Sequence, residues 1–220
     1  MRVPNAEHRL HQWRIDQVAP DFELKDVWGL PVTGTDVGFA AFLSIVALGP
    51  EASGTSDRRS TDGDSRLSRG LFALRLWLGR VLGWDREVNT LPIPGCVETS
   101  VRDRLPEAER AELPAGGGAS LAFRPVYRDE RESFMELSNG TVHVLVHYSW
   151  VPEADQYRAR MAVYVKHRGW LGSAYMALIK PFRHYIVYPA MMRQLEARWR
   201  AAKTLAPGTA PVLAGGPGKT

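Results

Sequence analysis

The stretch FMELSNGTVHVLVHYSWVPEADQYRARMAVYVK, Phe134 to Lys166, decides the fold because its hairpins can be registered by counting. Asn139-Gly140, between Phe134–Ser138 and Thr141–Val151, is the strongest two-residue signal for a tight hairpin turn. Pairing Ser138 with Thr141 sets Leu137 opposite Val142, Met135 opposite Val144 and Ser133 opposite Val146. A four-residue turn at Pro152 to Asp155 then leads into Gln156 to Lys166. If Val151 pairs with Gln156, Tyr148 meets Ala159, Val146 meets Met161, Val144 meets Val163 and Val142 meets Val165. Both hairpins gather their apolar residues on one face, as a one-sided antiparallel sheet requires.

Downstream, Leu171, Tyr175, Leu178, Phe182, Tyr185, Met192, Leu195 and Trp199 recur at helical spacing, so Gly169 to Lys203 reads as a long amphipathic helix. Pro181 and Pro189 kink it, since each removes a donor and clashes with the carbonyl four residues back. Upstream, Asp21 to Trp28 alternates as a first strand. Asp36 sits at an N-cap position before Phe39, Phe42, Leu43 and Val46, and Ser68 at another before a helix running to Gly83. Pro50 to Arg66 is almost free of apolar residues and reads as a mobile loop. Asn89 to Gly118 is proline-interrupted and irregular, with a brief helix at Glu107 to Glu112, and residues 204–220 read as a disordered tail.

The 220 residues are 45% hydrophobic and 24% charged, which fits a single folded domain over residues 1–203. The longest near-apolar run, Val37 to Gly49, is well short of the roughly 20 residues a bilayer-spanning helix needs. A lone Cys96 excludes an internal disulfide, and the N-terminus lacks the apolar core of a secretory signal, so a cytoplasmic location is expected. The net charge of +4 is uneven. Between Asp155 and Thr204 ten Lys or Arg face only Asp155 and Glu196. No zinc-finger spacing, RNP-like run or other nucleic-acid module accompanies that charge, so no nucleic-acid partner is expected.

Three stretches carry a family resemblance: LFALRLWLGRVLGWDR (Leu71 to Arg86), NGTVHVLVHYSWV (Asn139 to Val151) and MAVYVKHRGWLGSAYMALIKPFRHYIVYPAMMRQL (Met161 to Leu195). On these the chain resembles an uncharacterised bacterial family, the domain of unknown function numbered 2867. The order of elements resembles the helix-grip superfamily of START, Bet v 1-like and polyketide-cyclase proteins. That resemblance implies an α+β fold, an antiparallel sheet wrapped around a long kinked C-terminal helix with two short helices after the first strand. It also implies a pocket for a hydrophobic or amphipathic small molecule between sheet and helix.

In such a pocket, Tyr148, Trp150, Tyr157 and Met161 from the sheet and Tyr175 and Phe182 from the helix are the expected lining. Lys180, Arg183 and His184, between the two prolines, form a candidate anion anchor. On the opposite face the register generates rows Glu136, His143, Tyr164 and Glu132, His147, Arg160. A carboxylate beside an imidazole is the unit a general base needs. Ser149, Arg158 and Lys166 share that face, however, which marks it as the solvent side carrying an ordinary charge ladder. His143 and His147 lie about 13 Å apart along a strand, too far for a shared zinc, and no metal is expected. Gly116-Gly117-Gly118 lacks the Lys-Ser/Thr of a phosphate loop, and no cofactor is implied. A ligand-binding protein is the leading expectation. The alternatives are a cyclase- or hydratase-like enzyme with a pocket His or Tyr as acid or base, and a membrane-surface or partner-binding module using the basic C-terminal helix.

Overall fold

A computed structural model describes residues 1–47, 99–113, 123–138, 142–168, 180–181 and 183–205. The expected loop at 50–66, the helix from Ser68 to Gly83, the Asn139-Gly140 turn, Tyr175, Phe182, Cys96 and residues 206–220 lie outside them.

The described strands form one antiparallel sheet of six: β1 (Arg2–Val3), β2 (Glu23–Gly34), β3 (Arg124–Arg128), β4 (Glu132–Ser138), β5 (Val142–Glu153) and β6 (Gln156–His167). Their order across the sheet is β1-β2-β6-β5-β4-β3. With the helices below, this makes the fold α+β. β2 runs six residues beyond the expected end at Trp28. The register slips between Gly29 and Thr33, and Pro31, which has no N–H to give a ladder, sits within that irregularity.

Both expected hairpin registers are corrected by two residues. Leu137 pairs with Val144 and Met135 with Val146. Tyr148 pairs with Met161, Val146 with Val163 and Val144 with Val165. At the second hairpin the strands continue through Pro152 and Glu153 to a two-residue turn, Ala154-Asp155, with Ala154 at φ 52. Positive φ suits the right-handed twist of the flanking strands, so the shorter turn displaces the four-residue one. Because side chains alternate with period two, a two-residue shift leaves every residue on its expected face.

One face is covered by α3 (Phe39–Ala47) and α5 (Tyr188–Leu205), which pack Phe39, Phe42, Leu195 and Trp199 onto Val146, Tyr148, Trp150 and Met161. Trp150 is the keystone at one end. Its indole donates to Thr35 O at 2.8 Å and stacks with Phe42, and Gly38 admits it so closely that a Cβ there would lie 3.0 Å from the ring. Asp36 does not cap α3 as expected; it lies in a short 3-10 turn before the helix, and its carboxylate accepts from Val37 N.

Residues Arg183–Val187 form a π-helical turn directly before α5, and Tyr185, expected on the apolar face, is instead exposed because the wider turn breaks the α-helical spacing. Pro189 cannot donate to the carbonyl of Tyr185, and the wider turn, of the kind at which helices kink, accommodates the lost bond.

The opposite face is where sequence and structure part. It is not a solvent side. Residues 4–22, with α1 (Asn5–His8) and α2 (Arg14–Val18), and the segment from Ser100 to α4 (Glu107–Ala111) cover it. Trp13, Ile15, Val18, Phe22, Val101 and Leu105 pack there against Phe134, Leu145, Val151 and Ala162 as a second core.

Candidate functional site

Alternation along β4 sends Met135 and Leu137 to the α5 side and Glu132, Phe134, Glu136 and Ser138 to the other. The exposure is inverted relative to polarity: Met135, Leu137 and Val144 are partly open, whereas Glu132, Glu136, Ser138, His143, His147 and Ser149 are buried.

On the α5 side, Tyr148, Trp150 and Met161 are buried in the core and Tyr157 is half-buried, its ring nearly parallel to that of Trp150. Of the expected anion anchor, Lys180 is exposed. Arg183 and His184 instead converge on Asp26, a buried carboxylate on β2 that the sequence reading did not single out. His184 Nε2 lies 2.9 Å from Asp26 Oδ1, and Arg183 bonds Oδ2. The π turn places these two consecutive side chains over β2. Trp28 lies beside them, edge-on to His184 and 5.0 Å from the Tyr188 ring centre. Its indole N–H is buried and meets no acceptor among the described residues. Burial pushes the hydroxyl pKa of Tyr148 up to about 12, and that of Tyr188 likewise to about 12 with Arg183 opposing.

On the covered face the structure brings together both expected His–carboxylate pairs, although the true register makes them diagonal neighbours. His143 Nε2 lies 3.1 Å from Glu136 Oε2, which also accepts from Val101 N at 2.8 Å, while Ser100 Oγ bonds Oε1. Burial alone would raise the Glu136 pKa, but the hydrogen bonds from His143, Ser100 and Val101 outweigh it and hold it below the ordinary carboxylate value. Glu132 behaves oppositely. Burial, reinforced by the charge of Asp129, pushes it up to about 7 even though the Arg14 N–H bonds both its oxygens, at 2.8 and 3.1 Å. His147 Nε2 stands 3.6 Å from Glu132, beyond hydrogen-bond reach.

His147 is boxed by aromatic rings, with His8 and Trp13 at 5.3 and 5.1 Å between centres. Burial lowers the pKa of His147 to about 3, and burial together with the neighbouring His147 and Arg160 does the same for His8. The Tyr164 hydroxyl donates to Asp16 at 3.1 Å, so it accepts from His8 Nε2 at 3.1 Å and leaves His8 Nδ1 as a bare acceptor. His8 Nδ1, both His147 ring nitrogens, Ser149 Oγ and the Arg160 Nε and Nη1 are buried without a hydrogen-bond partner among the described residues. Each such group costs about 1–3 kcal/mol when left unmatched.

His8, Trp13, Asp16 and Ser100 escaped the sequence reading, which began its first element at Asp21. A signal was present in Phe134, Leu145 and Val151, apolar residues on the supposedly wet face, which require a cover.

A family model described as protein of unknown function (DUF2867) matches residues 18–190. No curated protein and no solved structure matches the chain. The matched span holds every sheet residue of both candidate sites, while His8, Trp13, Arg14 and Asp16 precede it.

Proposed function

The chain belongs to the DUF2867 family, and from that premise we propose that it is a helix-grip protein that holds a hydrophobic or amphipathic small molecule between the sheet and the C-terminal helix. The inverted exposure of β4 and β5 carries the reading: Met135, Leu137 and Val144 stay partly open in mid-sheet while their polar neighbours are sealed. A sheet that buries carboxylates and leaves aliphatic groups accessible offers an apolar wall to a ligand. In this reading the wall is made by Met135, Leu137 and Val144, with Trp28 and Met192, also partly open on the core's margin, beside them. The orphaned Trp28 indole N–H supplies a donor for a polar atom of the guest. An anionic head group competes with Asp26 for Arg183 and His184, and Lys180 is the exposed cation nearby in sequence. The chain order of long strand, helix, antiparallel hairpins and final helix on one face supports the helix-grip assignment.

A cyclase- or hydratase-like activity draws support from Tyr148 and Tyr188. With pKa values near 12 they stay protonated at neutral pH, suited to donating a hydrogen bond to a substrate carbonyl and unsuited to abstracting a proton. A membrane-surface role is less well supported, because α5 spends Leu195 and Trp199 on the protein's own core.

Titration of the full chain with sodium decanoate, followed by tryptophan fluorescence and native mass spectrometry, tests the binding reading. Saturable one-to-one binding weakened at least tenfold by Leu137→Asp is expected. Absence of saturable binding, or binding indifferent to Leu137→Asp and Met135→Asp alike, refutes it.

A further inference from the structure

Most of the unmatched polar atoms on the covered face belong to one neighbourhood, apart from Glu109 Oε2 on α4. Glu132, Ser149 and Arg160 are direct cross-strand partners in a row across β4, β5 and β6, and His147 stands one position further along β5 on the same face. His8 closes over His147 from α1. All of these side chains are more than nine-tenths buried. Native proteins leave few buried polar groups unmatched, and such groups are normally completed by ordered water or by a ligand.

The chemistry of the unmatched atoms is lopsided. Arg160 Nε and Nη1 carry donors only, Ser149 Oγ brings a hydroxyl proton, and a neutral His147 brings one N–H and one bare nitrogen. His8 Nδ1 adds a single further acceptor. Donors are in excess. The remaining Arg160 nitrogen, Nη2, bonds Glu7 at 2.6 Å, and Glu7 is half-exposed at the rim of the cover. Glu132, the carboxylate of the row, receives the Arg14 N–H on both oxygens and makes no hydrogen bond with Arg160 among the described residues.

We propose that this cluster, on the sheet face opposite α5, is a binding site for a small carboxylate, held by Arg160 and Ser149 and flanked by His147, His8 and Trp13. The carboxylate brings the acceptor lone pairs the donors lack, and a charge that complements the guanidinium. Entry is through the cover. α1 and α2 are only four and five residues long and neither has a side-chain N-cap, but lifting them also separates Trp13 and Ile15 from the second core and breaks the Arg14–Glu132 and Glu7–Arg160 bonds, so entry is slow.

The test is thermal unfolding of the full chain in sodium formate or acetate against sodium chloride at equal ionic strength, with inorganic phosphate as a third arm. A saturable rise in Tm of about 5–10 °C at a hundredfold excess over Kd is expected for formate or acetate. Ser149→Ala, a small change within the sheet, should weaken the response at least tenfold, and Arg160→Met should abolish it. Leu137→Asp, on the other face, should leave it unchanged, which separates this site from the apolar one. The proposal is overturned if the carboxylates act no differently from chloride. A response to phosphate alone overturns it too, as does one that survives in Ser149→Ala, the variant that remains decisive should Arg160→Met fail to fold. A gain in stability in either variant, with no anion effect in the parent, would show a site holding water only.

Discussion

The two faces of the β4–β5 hairpin carry residues of opposite character in opposite circumstances. Phe134, Glu136, His143 and His147 are sealed beneath the N-terminal segment, while Met135, Leu137 and Val144, their immediate neighbours in sequence, are partly open on the α5 side. Alternation decides which residues share a face. Which face is wet depends on what the rest of the chain lays over it. Here the chain spends Trp13, Ile15, Val18 and Phe22 on covering the polar face, at the expense of burying two carboxylate–imidazole pairs.

The largest effect expected from this difference comes from truncating adjacent residues. Phe134→Ala should cost about 3–5 kcal/mol, because the ring is fully buried and leaves a cavity, whereas Met135→Ala should cost only about 1 kcal/mol. Urea denaturation of the pair measures the contrast, and equal losses would erase the distinction between the faces. Next comes the charged cluster of the open face. Asp26→Ala deprives Arg183 and His184 of their buried partner and should cost about 3 kcal/mol, a fall in Tm of about 6–12 °C.

The covered face should betray itself through pH. The neutral form of Glu132 is favoured in the fold, with its pKa raised from 4.5 to about 7. Its stabilising contribution is therefore complete below about pH 4.5 and lost as the pH rises through 7. His8 and His147 act in the reverse sense: lowered from 6.5 to about 3, they contribute fully above pH 6.5 and lose that contribution as the pH falls towards 3. Between pH 5 and pH 8, Glu132→Gln should gain about 2 kcal/mol relative to the parent, read from chemical denaturation at both values. A constant difference would mean that Glu132 is not confined as described. The smallest effect belongs to neither face. Arg200 pairs with Glu196 on the outer surface of α5, and Arg200→Ala should shift stability by no more than about 0.5 kcal/mol.

Strands β4 to β6, their faces and the Glu136–His143 pair were legible in Phe134 to Lys166, with Glu132 just ahead of it completing the second pair, because period-two alternation survives even a two-residue error in register; β1 and β3 were not read. The sealing of the polar face was signalled only indirectly, by Phe134, Leu145 and Val151 lying on it. Ser149, Arg158 and Lys166 read as solvent markers, yet Ser149 is buried; long-range packing of Trp13 and Phe22 against the sheet has no local signature. The role of Asp26 was hidden for a similar reason. Its partners Arg183 and His184 lie more than 150 residues away, brought back by a π turn that proline placement hints at without specifying. The turn at Ala154-Asp155 went unread because neither residue is the glycine or asparagine that usually announces positive φ.

The most direct test of the open apolar face is methyl NMR of the full chain labelled at its six methionines and titrated with sodium decanoate. The account predicts a saturable shift of the Met135 methyl signal, with Met1, which is 90% exposed, unmoved. A Met135 signal that stays fixed, or one that moves only in step with Met1, would contradict it.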